Sequence, residues 1–398
     1  MRTRLFGLAV AAGLAALASP LAAAAQTVKI GVILSLSGPD AALGNQIQRG
    51  LELYVKEHSK DLPAGVKVEL VTKDDTGPNP EVAKRLAQEL ITRDRVSLLT
   101  GVVFTPNAAA IAPLTAEAKI PFVIMNAAAS PITRMSPYVV RVSFTQWQFG
   151  TPIGEWAVKQ GWKKGYTAVS DFGPGYDSEA SFQTGFKAAG GEMIGSVRTP
   201  MTTQDFAPFL QRIKDAKPDV LYVFIPSGPY ATAVMKGYND LGLRQAGVHL
   251  VGPQDLVPDN ELANMGDIPV GITTSGNYSS AADRPANKAF IAAWQKAYGT
   301  KDLPDFMSVA GWDGMHAIFD VIKDGKGKVD ADAAMKVLTN WKAPDSPRGP
   351  ISIDPATRDI VQNVYIRKTE KVGGKLQNTE FETIPNVKDR WKELNPPK

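Results

Sequence analysis

Three histidines, His58, His249 and His316, are the only imidazoles in the chain, and their spacing fits no metal-ligand pattern. Cysteine is absent, which removes thiolate metal sites, disulfides and a cysteine nucleophile. The Gly-x-Ser-x-Gly elbow that exposes a nucleophilic serine does not occur, nor do Ser-x-x-Lys or His-Glu-x-x-His. Phosphate cradles are missing too: Gly325-Lys326-Gly327-Lys328 lacks a glycine five places before Gly327 and reads as an exposed turn. Asp74-Asp75 and the Asp330/Asp332 pair lack the rest of a calcium loop. The residues predict no enzyme and no cofactor.

What remains is chemistry suited to binding. Three small, polar loops stand just before helical stretches: Ser35-Leu36-Ser37-Gly38-Pro39, Phe104-Thr105-Pro106, and Asn126 to Pro131. Thr105 suits an N-cap with Pro106 as first helical residue, and Ser130-Pro131 repeats the arrangement. A helix start offers unpaired N–H groups and partial positive charge, so these loops favour an anionic group on a ligand.

The elements that must position such loops follow from periodicity. Val28 to Leu34 reads as a buried strand, and Ile47, Leu51, Tyr54 and Val55 mark a helix over 43–58. Strands at 66–71, 96–100 and 120–125 continue the alternation, with a helix face at Val82, Leu86, Leu90 and Ile91. After Ser143 the pattern restarts, with strands at 166–170, 192–198, 219–225 and 248–251 and helices at 176–189, 205–214 and 229–241. Helices at 285–298, 306–323 and 330–340 and strands at 350–354 and 361–367 follow. The tail, rich in Lys, Pro and Asn, is expected to be loose at its end. Alternating strands and helices predict two α/β lobes with doubly wound parallel sheets, and loops at the strand carboxyl ends hold the ligand.

Length and charge agree. A chain of 398 residues suits two domains. Of the formal charge of +4, Arg2 and Arg4 account for two, which leaves too little to argue for nucleic acid or an anionic membrane as partner. Those arginines precede the apolar stretch Leu5 to Leu17, broken by Ser19-Pro20 and followed by Ala23-Ala24-Ala25. This predicts a secretory leader over 1–25, cleaved near Ala25, and a periplasmic location without a lipid-modified cysteine.

An ordered set of short motifs carries a resemblance. Lys29-Ile30-Gly31-Val32 through Ser35-Leu36-Ser37-Gly38-Pro39 opens it, with Gly44 and Gly50 after it. Lys73-Asp74-Asp75-Thr76, Ile120-Pro121-Phe122-Val123, Arg141-Val142-Ser143, Gly175-Tyr176, Lys217-Pro218-Asp219-Val220 and Val251-Gly252-Pro253 complete it. The set resembles the leucine/isoleucine/valine-binding protein family, the type I periplasmic receptors of ABC transporters, and covers essentially the whole chain after the leader.

The resemblance implies two lobes, 26–146 with 277–345 and 147–276 with 346–398, joined by three crossovers near Ser143–Phe149, Ser275–Ser280 and Pro344–Gly349. It implies a monomeric receptor that closes on a ligand and delivers it to an inner-membrane permease with its ATPase subunits. The same fold also serves as a sensing domain, so transport and sensing both stand at this point. Family members that bind amino acids hold the carboxylate with loops that match Ser35 to Gly38 (Ser35 and Ser37 above all), Phe104-Thr105, and Ala127 to Ala129. They close the second lobe with a tyrosine matching Tyr176, and grip the ammonium with an acid at the position of Gln254. Ala129 and Gln254 both depart from that pattern, so the expected ligand is a small organic carboxylate without a free α-amine, on the model of family members for aromatic acids. A branched-chain amino acid or an amide is the alternative. Leu43, Phe172, Tyr230, Phe306 and Met307 are the expected apolar wall, Asn126 and Ser227 further polar contacts, and Arg141 a structural ion-pair partner.

Overall fold

The computed structural model describes residues 26–201 and 203–397, so the leader lies outside the described residues. The first sheet contains β1 (Gln26–Leu34), β2 (Val66–Asp74), β3 (Leu98–Gly101), β4 (Phe122–Ile124) and β5 (Val139–Arg141), all parallel, in the order β2-β1-β3-β4-β5. Helices α1 (Ala41–His58), α2 (Pro80–Thr92) and α3 (Thr105–Ala118) make the connections. Side chains alternate along β1. Val28, Ile30, Val32 and Leu34 face one apolar cluster with Ile47 and Leu51 of α1, while Ile33 faces a second with Leu86 of α2 and Ile111 of α3. Burial on both faces is what a doubly wound parallel sheet requires.

Helices α4 (Gln146–Lys159), α5 (Gly173–Ala188), α6 (Ala207–Ala216) and α7 (Pro229–Asp240) belong to the second lobe. Its parallel strands are β6 (Lys164–Ser170), β7 (Glu192–Thr199), β8 (Val220–Phe224), β9 (His249–Pro253) and β10 (Thr273–Gly276), in the order β10-β9-β8-β6-β7. The chain then returns to the first lobe as α8 (Pro285–Tyr298), α9 (Phe306–Asp324) and α10 (Ala331–Thr339); Phe319 of α9 packs edge-on against Tyr54 of α1. Strands β11 (Lys342–Ala343), β12 (Ile351–Ile353), β13 (Ile360–Val372) and β14 (Lys375–Val387) extend the second sheet in antiparallel pairing, and α11 (Arg390–Leu394) closes the chain.

Two differences from the sequence reading stand out. Residues 344–349 form the turn between β11 and β12, so the chain has entered the second sheet before that segment. Up to Leu394 the tail is built into the fold. Strand β14 pairs along β13, and α11 docks on the first lobe, with the Arg134 guanidinium 4.8 Å from the Trp391 ring and buried Lys392 Nζ donating to Asp359 and Thr133. A lysine with a buried carboxylate partner can anchor a segment whose composition alone suggests solvation.

The lobes are tied together by hydrogen bonds between their connecting segments. Asn277 Nδ2 and Arg348 Nη1 both donate to Gln362 Oε1, at 2.9 and 3.0 Å, while Arg348 Nη1 and Gln362 Nε2 donate to Ser143 O at 2.8 and 3.2 Å. Two glycines set the helices close against the strand ends. A Cβ on Gly44 would lie 1.9 Å from Ser35 O, and one on Gly175 would lie 1.8 Å from Ser170 O. Each lobe thus presses a helix start onto the end of a strand, and only glycine permits that approach.

Candidate ligand-binding site

A pocket with about 370 Å³ of free space, part of it open to solvent, lies between the lobes, at the carboxyl ends of the strands. From the first lobe it is lined by Leu43, Val103, Phe104, Thr105, Asn126 and Ala128, with Phe144 from the first connection and Met307 of α9. From the second come Gln146, Phe172, Pro174, Phe224, Pro226, Ser227 and Asp255. The walls are phenyl-rich: Phe172 and Phe224 are stacked with centroids 5.9 Å apart and planes at 16°.

Two helix starts from opposite lobes converge here. Phe104 is the N-cap of α3 and Phe172 that of α5, and neither offers a capping side chain. The first N–H groups of both helices therefore have no intrahelical partner and no cap. The lobes are in contact around them: a Cβ on Gly173 would lie 3.5 Å from Thr105 Cγ2 and 3.7 Å from Ala129 Cβ. Across the same seam Ser130 N–H donates to Asp177 Oδ2 at 2.8 Å.

Behind the loop that follows β4, hereafter the fourth loop, lies Arg141, fully buried. Its Nη1 donates to Ala127 O at 2.9 Å and Ala129 O at 2.7 Å, and its Nε donates to Asp359 Oδ1 at 2.7 Å. Arg141 is thus an ion-pair partner that also fixes the shape of the loop carrying Asn126 and Ala128 into the cavity. Thr105 differs from the reading as a cap. It is the first residue of α3, not its N-cap, and its Oγ1 accepts from Ala129 N–H at 3.2 Å, bracing the same loop. Ser130 likewise begins a short 3-10 helix whose N-cap is Ala129, and its Oγ has no partner.

Of the residues singled out in the sequence, Leu43, Phe104, Thr105, Asn126, Phe172, Ser227 and Met307 line the cavity. The others lie elsewhere. Ser35 is buried and its Oγ donates to Asp75. Ser37 is exposed beside Asp74; burial raises that carboxyl, but hydrogen bonds from Ser37, Leu36 and Thr76 outweigh it and hold it below the usual range. Ala127 and Ala129 are packed in the core beneath the fourth loop. Tyr176 is 42% exposed, its hydroxyl donating to Asp171 and its ring 4.5 Å from the Arg198 guanidinium. Phe306 is core, packed edge-on against Phe144. Gln254 is buried and turned toward the second connection, accepting from Asn277 N–H at 2.9 Å.

An acid stands one residue beyond Gln254. Asp255 lines the cavity and is almost fully buried; burial pushes its carboxyl up to about 7, against hydrogen bonding from its own backbone and Gln146 and the charge of Arg367. Its Oδ2 has no hydrogen-bond partner, nor do Gln146 Oε1 and Asn126 Oδ1. The signal that could have found it is the acid itself, directly after Gly252-Pro253-Gln254.

Comparison with known proteins places this geometry in a family. The periplasmic binding protein family model matches residues 27–375. The Leu/Ile/Val-binding protein homolog 6 of Brucella melitensis is 41% identical over 369 residues, covering 92% of this chain and 94% of that one. The solute-binding protein of an ABC transporter from Rhodopseudomonas palustris BisB5, solved in complex with 3,4-dihydroxy benzoic acid, superposes with a TM-score of 0.88 at 46% identity, covering 92% of this chain and 99% of that one. Another ABC transporter solute-binding protein from R. palustris, in complex with 4-hydroxybenzoate, gives a TM-score of 0.88 at 44% identity over 91% and 98% of the two chains. The chain belongs to the periplasmic binding protein family, in its two-lobed type I form. No helix among the described residues is long and apolar enough to cross a membrane.

Proposed function

We propose that this chain is the periplasmic receptor of an ABC importer for a monocyclic aromatic carboxylate, which it captures between its lobes and hands to an inner-membrane permease and its ATPase subunits. The observation that carries this reading is the meeting of two uncapped helix starts, from α3 and α5, at a phenyl-lined cavity. Unpaired N–H groups and helix dipoles suit a carboxylate, and phenyl walls suit a ring. Solved relatives at 44–46% identity are complexes with hydroxylated benzoic acids. In this reading the leader is removed near Ala25, which mass determination of the exported chain would test at Gln26.

A second reading has one observation in its favour. Asp255 supplies a carboxyl that could grip an ammonium, as in a branched-chain amino acid receptor. A thermal-shift panel separates the two. A bound ligand stabilises by RT ln(1 + [L]/Kd), about 4 kcal/mol at a thousandfold excess over Kd. Benzoic acids should stabilise the protein, while leucine, isoleucine, valine and the primary amides of the acids should not. Stabilisation by leucine with none from any benzoic acid overturns the proposal.

A further inference from the structure

Three acceptors on the cavity lining lack a donor, although the Gln146 side chain does donate to the Asp255 carboxyl. Asp255 Oδ2, Gln146 Oε1 and Asn126 Oδ1 are all shielded from solvent and unpaired, and all three residues line the cavity. The Ser227 hydroxyl is engaged, donating to Asp255 O at 2.8 Å. Asn126 Nδ2 is engaged too, donating to Val103 O at 2.8 Å. A buried acceptor left unpaired carries a desolvation cost, so a ligand that fills this space without a donor binds at a disadvantage.

We propose that Asp255 is the specificity residue that reads a ring hydroxyl on the ligand, at the end of the ring opposite its carboxylate. The proposal rests on the aromatic-carboxylate reading above and adds which aromatic acids the site prefers and why. An aromatic carboxylate carries no donor of its own at neutral pH, so the donor must be a substituent on the ring.

The orientation follows from charge and sheet geometry. The ligand carboxylate is drawn to the starts of α3 and α5 and repelled by Asp255. Phe172 and Pro174 follow β6, Asp255 follows β9, and β8 lies between those strands. Two strand spacings of roughly 4.8 Å separate the two ends by about 10 Å. That span suits the long axis of a para-substituted benzoic acid. A hydroxyl also suits Asp255 better than an ammonium does. Burial holds the Asp255 carboxyl near neutrality, and the charge of buried Arg367 acts on it from the same lobe. A cation there would need a fully ionised partner, whereas a hydroxyl donates to the ionised carboxylate and accepts from the protonated one.

Calorimetry with benzoate, 4-fluorobenzoate, 4-methoxybenzoate and 4-hydroxybenzoate tests this on the unmodified protein. The hydroxyl compound should bind at least about tenfold tighter than each of the other three, none of which can donate. In Asp255→Leu the preference over benzoate should shrink to within about threefold, through weaker binding of 4-hydroxybenzoate while benzoate binding is kept or improved. Equal binding of benzoate and 4-hydroxybenzoate by the unmodified protein overturns the assignment while leaving the aromatic-acid reading intact. An undiminished preference in Asp255→Leu does the same. If no benzoic acid binds, the parent reading falls and this one with it. The ligand series on the unmodified protein decides the matter even if Asp255→Leu does not fold.

Discussion

Asp177 on α5 and Ser130 on the fourth loop of the first lobe meet across the cleft, the Ser130 N–H donating to Asp177 Oδ2 at 2.8 Å. The carboxylate belongs to one lobe and the donor to the other, so this bond exists only when the lobes are together. Burial raises the Asp177 carboxyl, against hydrogen bonds from Ser130 and Trp147 and the charge of Arg141.

Removing that bond should act on closure. Asp177→Ala is expected to weaken ligand binding about 5- to 30-fold, the loss of one charge-assisted hydrogen bond, and to do so mainly through faster dissociation. Stopped-flow dissociation and small-angle scattering with and without ligand check this. An unchanged dissociation rate would place closure under other contacts.

Arg141 is expected to be needed for folding more than for contact with the ligand. Arg141→Met removes one of the two buried cations on Asp359, leaving Lys392, and frees the Ala127 and Ala129 carbonyls, at about 3 kcal/mol by chemical denaturation. Arg141→Lys should recover only part of that, because one ammonium cannot reproduce the spread of the guanidinium across a carboxylate and two carbonyls.

Asp255 should make stability depend on pH. Its carboxyl sits at about 7 in the folded protein against an ordinary value of 3.8. Between those values the folded state keeps a proton that the unfolded state has released, so stability falls as pH rises through the window and levels off above it. Asp255→Asn removes this contribution. The ligand-free variant should be more stable than the parent by about 2–4 kcal/mol near pH 8, with the gap closing toward pH 4. Asp305, also held at about 7 by burial, adds the same trend to both proteins and does not alter the difference. A pH-independent gap would count against a buried, ionising Asp255.

Thr105→Val tests the brace on the fourth loop. It keeps the shape of the side chain but leaves Ala129 N–H without its acceptor, at about 1–2 kcal/mol of stability in the ligand-free protein. Helix α3 should be unaffected, since Thr105 does not cap it. Ligand affinity should drop with the loop; amide hydrogen exchange at Ala129 would report the loosening directly.

The sequence by itself determined the architecture. The short continuous apolar run of β1, helical spacing in α1 and α2, and the restart after Ser143 were legible because apolar pattern and length follow the geometry of each element. It also determined which loops line the cavity between the lobes, since loops at strand carboxyl ends in such sheets face the cleft. Leu43, Phe104, Thr105, Asn126, Phe172 and Ser227 were found that way. Only the tertiary structure decided which side chain of each loop turns inward. At 254 and 255 two neighbouring residues divide the roles: Gln254 turns to Asn277 N–H in the second connection while Asp255 enters the cavity. Adjacent residues on a tight turn point in different directions, and the choice depends on a partner 23 positions away in the chain. The tail shows the same limit. Its composition predicts solvation, yet Lys392 is buried against Asp359, a contact between segments that no local pattern encodes.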